Sequence, residues 1–236
     1  MSRPTACSES GRLYVLATPI GNLNDITTRA TDILATCDIV AAESILKTKR
    51  LLDHLGIGTK IIPYHEHNEI RQANYIASLI ESRNIISLLS DSGTPTVSDP
   101  GFRLVRECRR RGLSVVPLPG PSAHITALSA SGLPSDGFLF LGFLPPKSSA
   151  RIKFFNEFAN FGYTLILYES CHRITKFMND LIEVLGPDRT ICVARELTKI
   201  HETFHIGLAN EVHDEMLNAS LKGEFVVIIA KKGFQL

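Results

Sequence analysis

The sequence predicts an α/β fold built as two α/β domains with a cleft between them, and two observations carry that expectation. In the first half, apolar runs of four or five residues alternate with stretches whose apolar residues recur at helical spacing. In the second half the alternation loosens, and two strand-like runs lie too close together for a crossover helix.

Strands are expected at 13–17, 39–42, 60–63, 85–89 and 114–117, with helices at 27–36, 44–54, 68–83 and 102–111 between them. In the first helix Ala30, Ile33 and Leu34 share one face, and Asp25 or Thr27 is placed to cap its start. This spacing implies βαβ units and a mainly parallel sheet. A small-residue helix is expected over 122–131, followed by a break at Gly132-Leu133-Pro134-Ser135-Asp136-Gly137, a candidate domain junction. Strands near 138–142, 164–168, 190–194, 202–206 and 224–230 then mix with three helices, and the pair 190–194 and 202–206 is expected to be antiparallel. The expected division is a disordered tail over 1–11, an N-terminal domain over 12–120 and a C-terminal domain with a mixed sheet over 121–236.

At 236 residues the chain has ample material for a core, and its formal net charge of +1 argues against a large electrostatic footprint, though not against a local basic patch. Five cysteines without a C-x-x-C pair read as reduced thiols of a cytoplasmic protein. The polar opening lacks the apolar stretch of a signal peptide, and the richest apolar run, 225–230, is strand-sized, so no membrane association is expected. No metal is expected either: His65-Glu66-His67 puts two histidines on one strand face without a third ligand in view.

The chemistry sits where strands end. The run 85–89 leads into Ser90-Asp91-Ser92-Gly93-Thr94-Pro95-Thr96-Val97-Ser98-Asp99-Pro100-Gly101, a loop too rich in Gly, Pro, Asp and Ser to continue either element. In open α/β sheets ligands bind on loops placed like this one. The first strand leads into Thr18-Pro19-Ile20-Gly21-Asn22-Leu23-Asn24-Asp25, and neither G-x-x-x-x-G-K-[ST] nor G-x-G-x-x-G is present. Leu118-Pro119-Gly120-Pro121-Ser122-Ala123-His124 is a second rigid loop opening a helix, whose amides suit a carboxylate or an adenine edge, or simply a Ser122 cap. Tyr168-Glu169-Ser170-Cys171-His172-Arg173 and Ala194-Arg195-Glu196-Leu197-Thr198-Lys199 also follow apolar strands. Three basic clusters stand out: Arg103, Arg106, Arg109, Arg110 and Arg111; Lys47, Lys49 and Arg50; and Lys147, Arg151 and Lys153. Together they suggest charge set aside for a polyanion, and with no aromatic stacking platform apparent, nucleic acid would be read through shape and backbone.

These motifs, with Ala41-Ala42-Glu43, Ser131 to Pro134 and Gly142-Phe143-Leu144-Pro145 in the same order, resemble the tetrapyrrole-methylase superfamily of S-adenosylmethionine-dependent (class III) methyltransferases. Within it the chain is similar to the branch that 2′-O-methylates a cytidine of 16S ribosomal RNA at the decoding centre. The resemblance implies a homodimer acting on 16S rRNA or the 30S subunit, with the cofactor in the interdomain cleft. It would place S-adenosylmethionine on Pro19, Gly21, Asp91, Gly93, Thr94, Pro95, Pro119, Gly120, Pro121, Ser122 and Ala123, with Tyr168, Arg195 and Glu196 from the second domain. Glu43, Asp99 and Lys199 are catalytic candidates by residue type and strand-end position, and Asn22, Lys47, Lys49, Arg50, His172 and Arg173 are candidates for the substrate. The branch usually reads Ala-Glu-Asp-Thr-Arg where this chain has Ala42-Glu43-Ser44-Ile45-Leu46-Lys47, and it carries a helical extension where this chain stops at Leu236. Two other readings stay open: a methylase of a corrin or sirohaem precursor, and a non-catalytic RNA-binding or ribosome-assembly protein that retains the cofactor fold.

Overall fold

Five parallel strands form the first sheet: β1 (Arg12–Leu16), β2 (Ile39–Ala42), β3 (Lys60–Pro63), β4 (Ile85–Leu89) and β5 (Ser114–Leu118), in the order β3-β2-β4-β1-β5. The computed structural model describes residues 10–236, so most of the expected tail over 1–11 lies outside the described residues. Helices α1 (Thr28–Thr36), α2 (Ile45–His54), α3 (Glu69–Glu81) and α4 (Phe102–Arg110) connect the strands. The Thr27 hydroxyl caps α1 by accepting from the Ala30 amide at 3.1 Å, and Ser44 caps α2 by accepting from the Lys47 amide.

Because β2 and β4 are central, residues on both of their faces are buried, and the two faces feed separate cores. Ile39, Ala41, Ile86 and Leu88 pack with Ile76 and Ile80 of α3 and Leu104 and Cys108 of α4. Val40, Ala42 and Leu89 pack with Leu34 of α1 and Leu51 and Leu52 of α2 on the other side. Each such buried Leu or Ile contributes roughly 1.5–3 kcal/mol. The helix after β4 therefore leaves to the face opposite those taken by the helices after its neighbours β1 and β2. In open α/β sheets ligands bind at the carboxyl ends of strands flanking such a reversal, here β2, β4 and β1.

The chain divides into a first unit ending at Ser122 and a second over Ala123–Leu236, so the Gly132 to Gly137 turn lies inside the second unit. The second sheet contains β6 (Phe138–Phe143), β7 (Thr164–Ser170), β8 (Thr190–Arg195), β9 (Thr203–Leu208) and β10 (Glu224–Ile229) in the order β6-β7-β10-β8-β9. Only β6 and β7 run parallel; β8 and β9 are antiparallel, as their short link requires. Helices α6 (Ser148–Phe158), α7 (Ile174–Leu185) and α8 (Ala209–Leu217) cover one face through Phe155, Phe177, Leu181 and Met216, while α5 (Ala123–Ala130) packs on β7 and β10.

Candidate active site

Four loops of the first unit converge at the carboxyl edge of its sheet. Thr18, after β1, exchanges two backbone hydrogen bonds with Gly93, after β4, at 2.9 and 3.0 Å. The Thr18 hydroxyl also donates to the Ser90 carbonyl at 3.2 Å, and the Thr94 hydroxyl donates to the Pro121 carbonyl beyond β5 at 3.1 Å. Gly120 is required by close approach, since a Cβ there would stand 2.9 Å from that of Ala17. The loop is also strained: Thr96 and Ser98 hold φ values of 76° and 62°, which β-branched and polar L-residues adopt only when their surroundings enforce them.

Three carboxylates meet on this edge. Glu43, just past β2, accepts the Asp91 amide at 3.1 Å, and Asp91 Oδ2 pairs with Lys47 Nζ at 2.9 Å. Asp91 Oδ1 is buried with no hydrogen-bond partner among the described residues. Asp99 lies in the same field. Burial, then the nearby Glu43 charge and more weakly Asp91, push its carboxyl up to about 7, against the opposing Ser90 hydrogen bond and Lys47 charge. A carboxyl poised there exchanges protons readily at neutral pH. The altered Ser44 to Lys47 stretch thus serves as a helix cap and as the cation on Asp91.

The other first-unit candidates are disposed around these groups. Asn22 accepts the Asn24 amide at 3.1 Å in the turn after β1, Pro95 is buried in the β4 loop, and Lys49 and Arg50 are exposed on α2. Pro19 and Pro121 are partly buried, while Gly21, Pro119 and Gly120 are exposed.

In the second unit, Tyr168 sits near the end of β7, its hydroxyl 3.1 Å from His124 Nδ1. Its neighbour Glu169 is fully buried and holds both arms of the Arg173 guanidinium at 2.8 and 2.9 Å, while His172 is exposed. Arg195 is buried and donates to the Lys222 and His201 carbonyls at 2.6 and 3.2 Å, so its guanidinium braces the β8–β9 loop. In that loop Lys199 Nζ pairs with Glu196 at 2.7 Å and Glu224 at 3.0 Å. Burial pulls the Lys199 ammonium down, but the hydrogen bonds it donates to these two carboxylates and their charges outweigh it and its pKa rises. Lys199 is therefore a fixed cation and not a proton acceptor.

Two expectations about the surface are corrected. Four of the five arginines on and just after α4 are not a free polyanion stripe: Arg103 pairs with Glu69, Arg110 and Arg111 with Glu107, Arg111 also with Glu81, and Arg109 donates to the Val115 carbonyl, while exposed Arg106 lies over the Phe102 ring. Arg151 is no part of a solvated basic cluster. It is 1% exposed and pairs with Asp180, with Nε to Oδ2 at 2.7 Å. Sequence reading also missed an aromatic group, because Phe140 and Phe143 meet Tyr168 only through strand pairing, with ring centroids 4.9 and 5.6 Å apart. The Gly142-Phe143-Leu144-Pro145 motif was its one available signal.

The family model described as tetrapyrrole (corrin/porphyrin) methylases matches residues 12–213. The ribosomal RNA small subunit methyltransferase I of Vibrio cholerae is 53% identical over 191 residues, covering 81% of this chain and 66% of that protein. The protein of the same name in Escherichia coli O157:H7 is 45% identical over 230 residues, 95% of this chain and 79% of its own length. The chain thus spans about two thirds and about four fifths of these two relatives. Among solved structures, the methyltransferase CobJ superposes with a TM-score of 0.70 at 20% identity, over 96% of this chain and 97% of that one. Uroporphyrin-III-C-methyltransferase from Thermus thermophilus gives 0.63 at 19% identity over 94% of each. At such identity these structures establish the fold alone.

Proposed function

The chain belongs to the tetrapyrrole methylase family, and from that premise we propose that it methylates the ribose 2′-hydroxyl of a cytidine in 16S rRNA, in the cytoplasm and as a homodimer. The relatives' shared name supports small-subunit ribosomal RNA as the substrate class. The observation that carries the chemistry is Asp99, held near pKa 7 beside Glu43 and Asp91.

S-adenosylmethionine, when bound, supplies a methyl group already activated for displacement by its sulfonium. The first unit fits such a cofactor: Asp91 Oδ1 is buried and unsatisfied, and the Gly120 turn brings bare backbone against Ala17. In this reading Pro19, Gly21, Asp91, Gly93, Thr94, Pro95 and Pro119 to Ala123 hold the cofactor, with Tyr168 and Glu196 contributing from the second unit. Arg195 acts through the loop it braces. A ribose hydroxyl is a weak acid, so a base must take its proton as the new bond forms, and Asp99 is the group tuned for that task. Glu43 keeps Asp99 basic, and Lys199 supplies fixed positive charge. Asn22, Lys47, Lys49, Arg50, His172 and Arg173 are assigned to the RNA side, Arg173 as the brace of its loop.

The test is methyl transfer from labelled S-adenosylmethionine to unmethylated 30S subunits. Transfer is expected to rise with pH through about 7, as Asp99 loses its proton. Asp99→Asn is expected to lower the rate on the order of 100-fold or more, the usual contribution of a general base. Transfer to a macrocyclic precursor in place of RNA would overturn the substrate, and cofactor binding without transfer would make the protein a non-catalytic RNA binder.

A further inference from the structure

Resting on the RNA-methylation reading and deepening it, we propose that Phe143 is a stacking platform for a nucleobase of the RNA substrate. A β-bulge between Phe140 and Phe143 breaks the register of β6 against β7, with Gly142 buried at φ +62°. Bulges re-aim side chains, and this one leaves the Phe143 ring 57% exposed at the end of an otherwise half-buried strand. The ring is supported from one side. Tyr168 meets Phe143 edge-on at 5.6 Å and Phe140 at 4.9 Å, and His124 stacks on Phe140 at 4.1 Å.

The ledge that follows has been stripped of hydrogen-bonding groups. Pro145 and Pro146 have no amide hydrogen, and both are exposed. The Leu144 carbonyl accepts from Arg173 at 3.1 Å, and the Pro145 and Pro146 carbonyls accept from buried Arg151 at 3.4 and 2.8 Å. Asp180 fixes Arg151 in turn, its other oxygen accepting from Ser148 at 2.6 Å. The result is a rigid apolar surface with the exposed cation Lys147 directly beyond it.

An exposed apolar ring followed four residues later by an exposed cation suits a nucleotide, with its π-face and its phosphate. The ledge itself offers base edges few partners, so recognition is mainly by stacking, which tolerates any base.

The chain contains no tryptophan, so Phe143→Trp installs a single indole as reporter. Its emission is expected to be quenched by an oligocytidylate RNA but not by inorganic polyphosphate. Phe143→Leu and Phe143→Ala are expected to raise the KM for 30S subunits about 10-fold, within the range stacking contributes, at unchanged affinity for S-adenosylmethionine. Wild-type transfer with an unchanged KM in Phe143→Ala would overturn the platform while leaving the methylation reading intact. Loss of cofactor affinity in Phe143→Ala would assign the ring to the cofactor, and a changed oligomeric state in sedimentation would assign it to a second copy of the chain. Absence of transfer by the wild-type protein would instead strike the reading beneath.

Discussion

Replacing Asp99 by Asn is expected to make the protein more stable at pH 8 while removing its methyl transfer. In the fold the Asp99 carboxyl is pushed up from its ordinary 3.8 to about 7 by burial and by Glu43. The folded state therefore binds this proton more tightly than the unfolded chain does. Stability is full while Asp99 is protonated, below about pH 4, and is lost as pH rises toward the folded value. The shift of about three pK units corresponds to an upper bound of about 4 kcal/mol at 1.36 kcal/mol per unit. Asp99 is only partly buried, and solvent screening reduces this to about 2 kcal/mol. Asn keeps the shape and the capacity to accept from Ser90 without the charge. Urea denaturation of wild type and Asp99→Asn at pH 4.5 and pH 8 isolates the difference, since every other group is common to both. The variant is expected to gain about 2 kcal/mol at pH 8 and much less at pH 4.5. Equal stabilities at pH 8, or a less stable variant, would refute the crowded-carboxylate argument and with it the assignment of Asp99 as a tuned base.

Two further outcomes follow from other parts of the structure. Asp91→Ala removes the buried, unsatisfied Oδ1 and the partner of Lys47, and titration calorimetry with S-adenosylmethionine is expected to show about 10-fold or greater weakening, the loss of one charge-assisted contact. Arg151→Leu leaves Asp180 as an uncompensated buried charge and frees two proline carbonyls, so urea denaturation is expected to show a loss of about 3–5 kcal/mol.

Much of the site was legible locally. The Ser90 to Gly101 and Leu118 to Ala123 loops announce themselves by composition, because Gly, Pro, Asp and Ser cannot continue a buried strand, and both loops lie at strand carboxyl ends in the fold. The charge readings fared worse. Arg103 and Arg111 pair with Glu69 and Glu81 on α3, which helical spacing on α4 alone cannot show, whereas Glu107 stands on α4 itself, three and four residues before Arg110 and Arg111. Arg151 looked like part of a surface cluster because its partner Asp180 is on α7. No aromatic platform was legible because the exposure of Phe143 depends on the bulge in β6, which strand pairing reveals.

What the sequence determined by itself is the alternation of strands and helices, the parallel first sheet, and the family, since hydrophobic period, turn chemistry and motif order are all local properties of the chain. What only the tertiary structure decided is how each charged or aromatic group behaves. Asp99 becomes a near-neutral acid through burial and the charge of Glu43 just past another strand, Lys199 a fixed cation between two carboxylates, and Phe143 an exposed ring on a hydrogen-bond-poor ledge. The physical reason is the same in each case: desolvation and Coulomb fields sum over neighbours in space, and the chain brings those neighbours from distant positions.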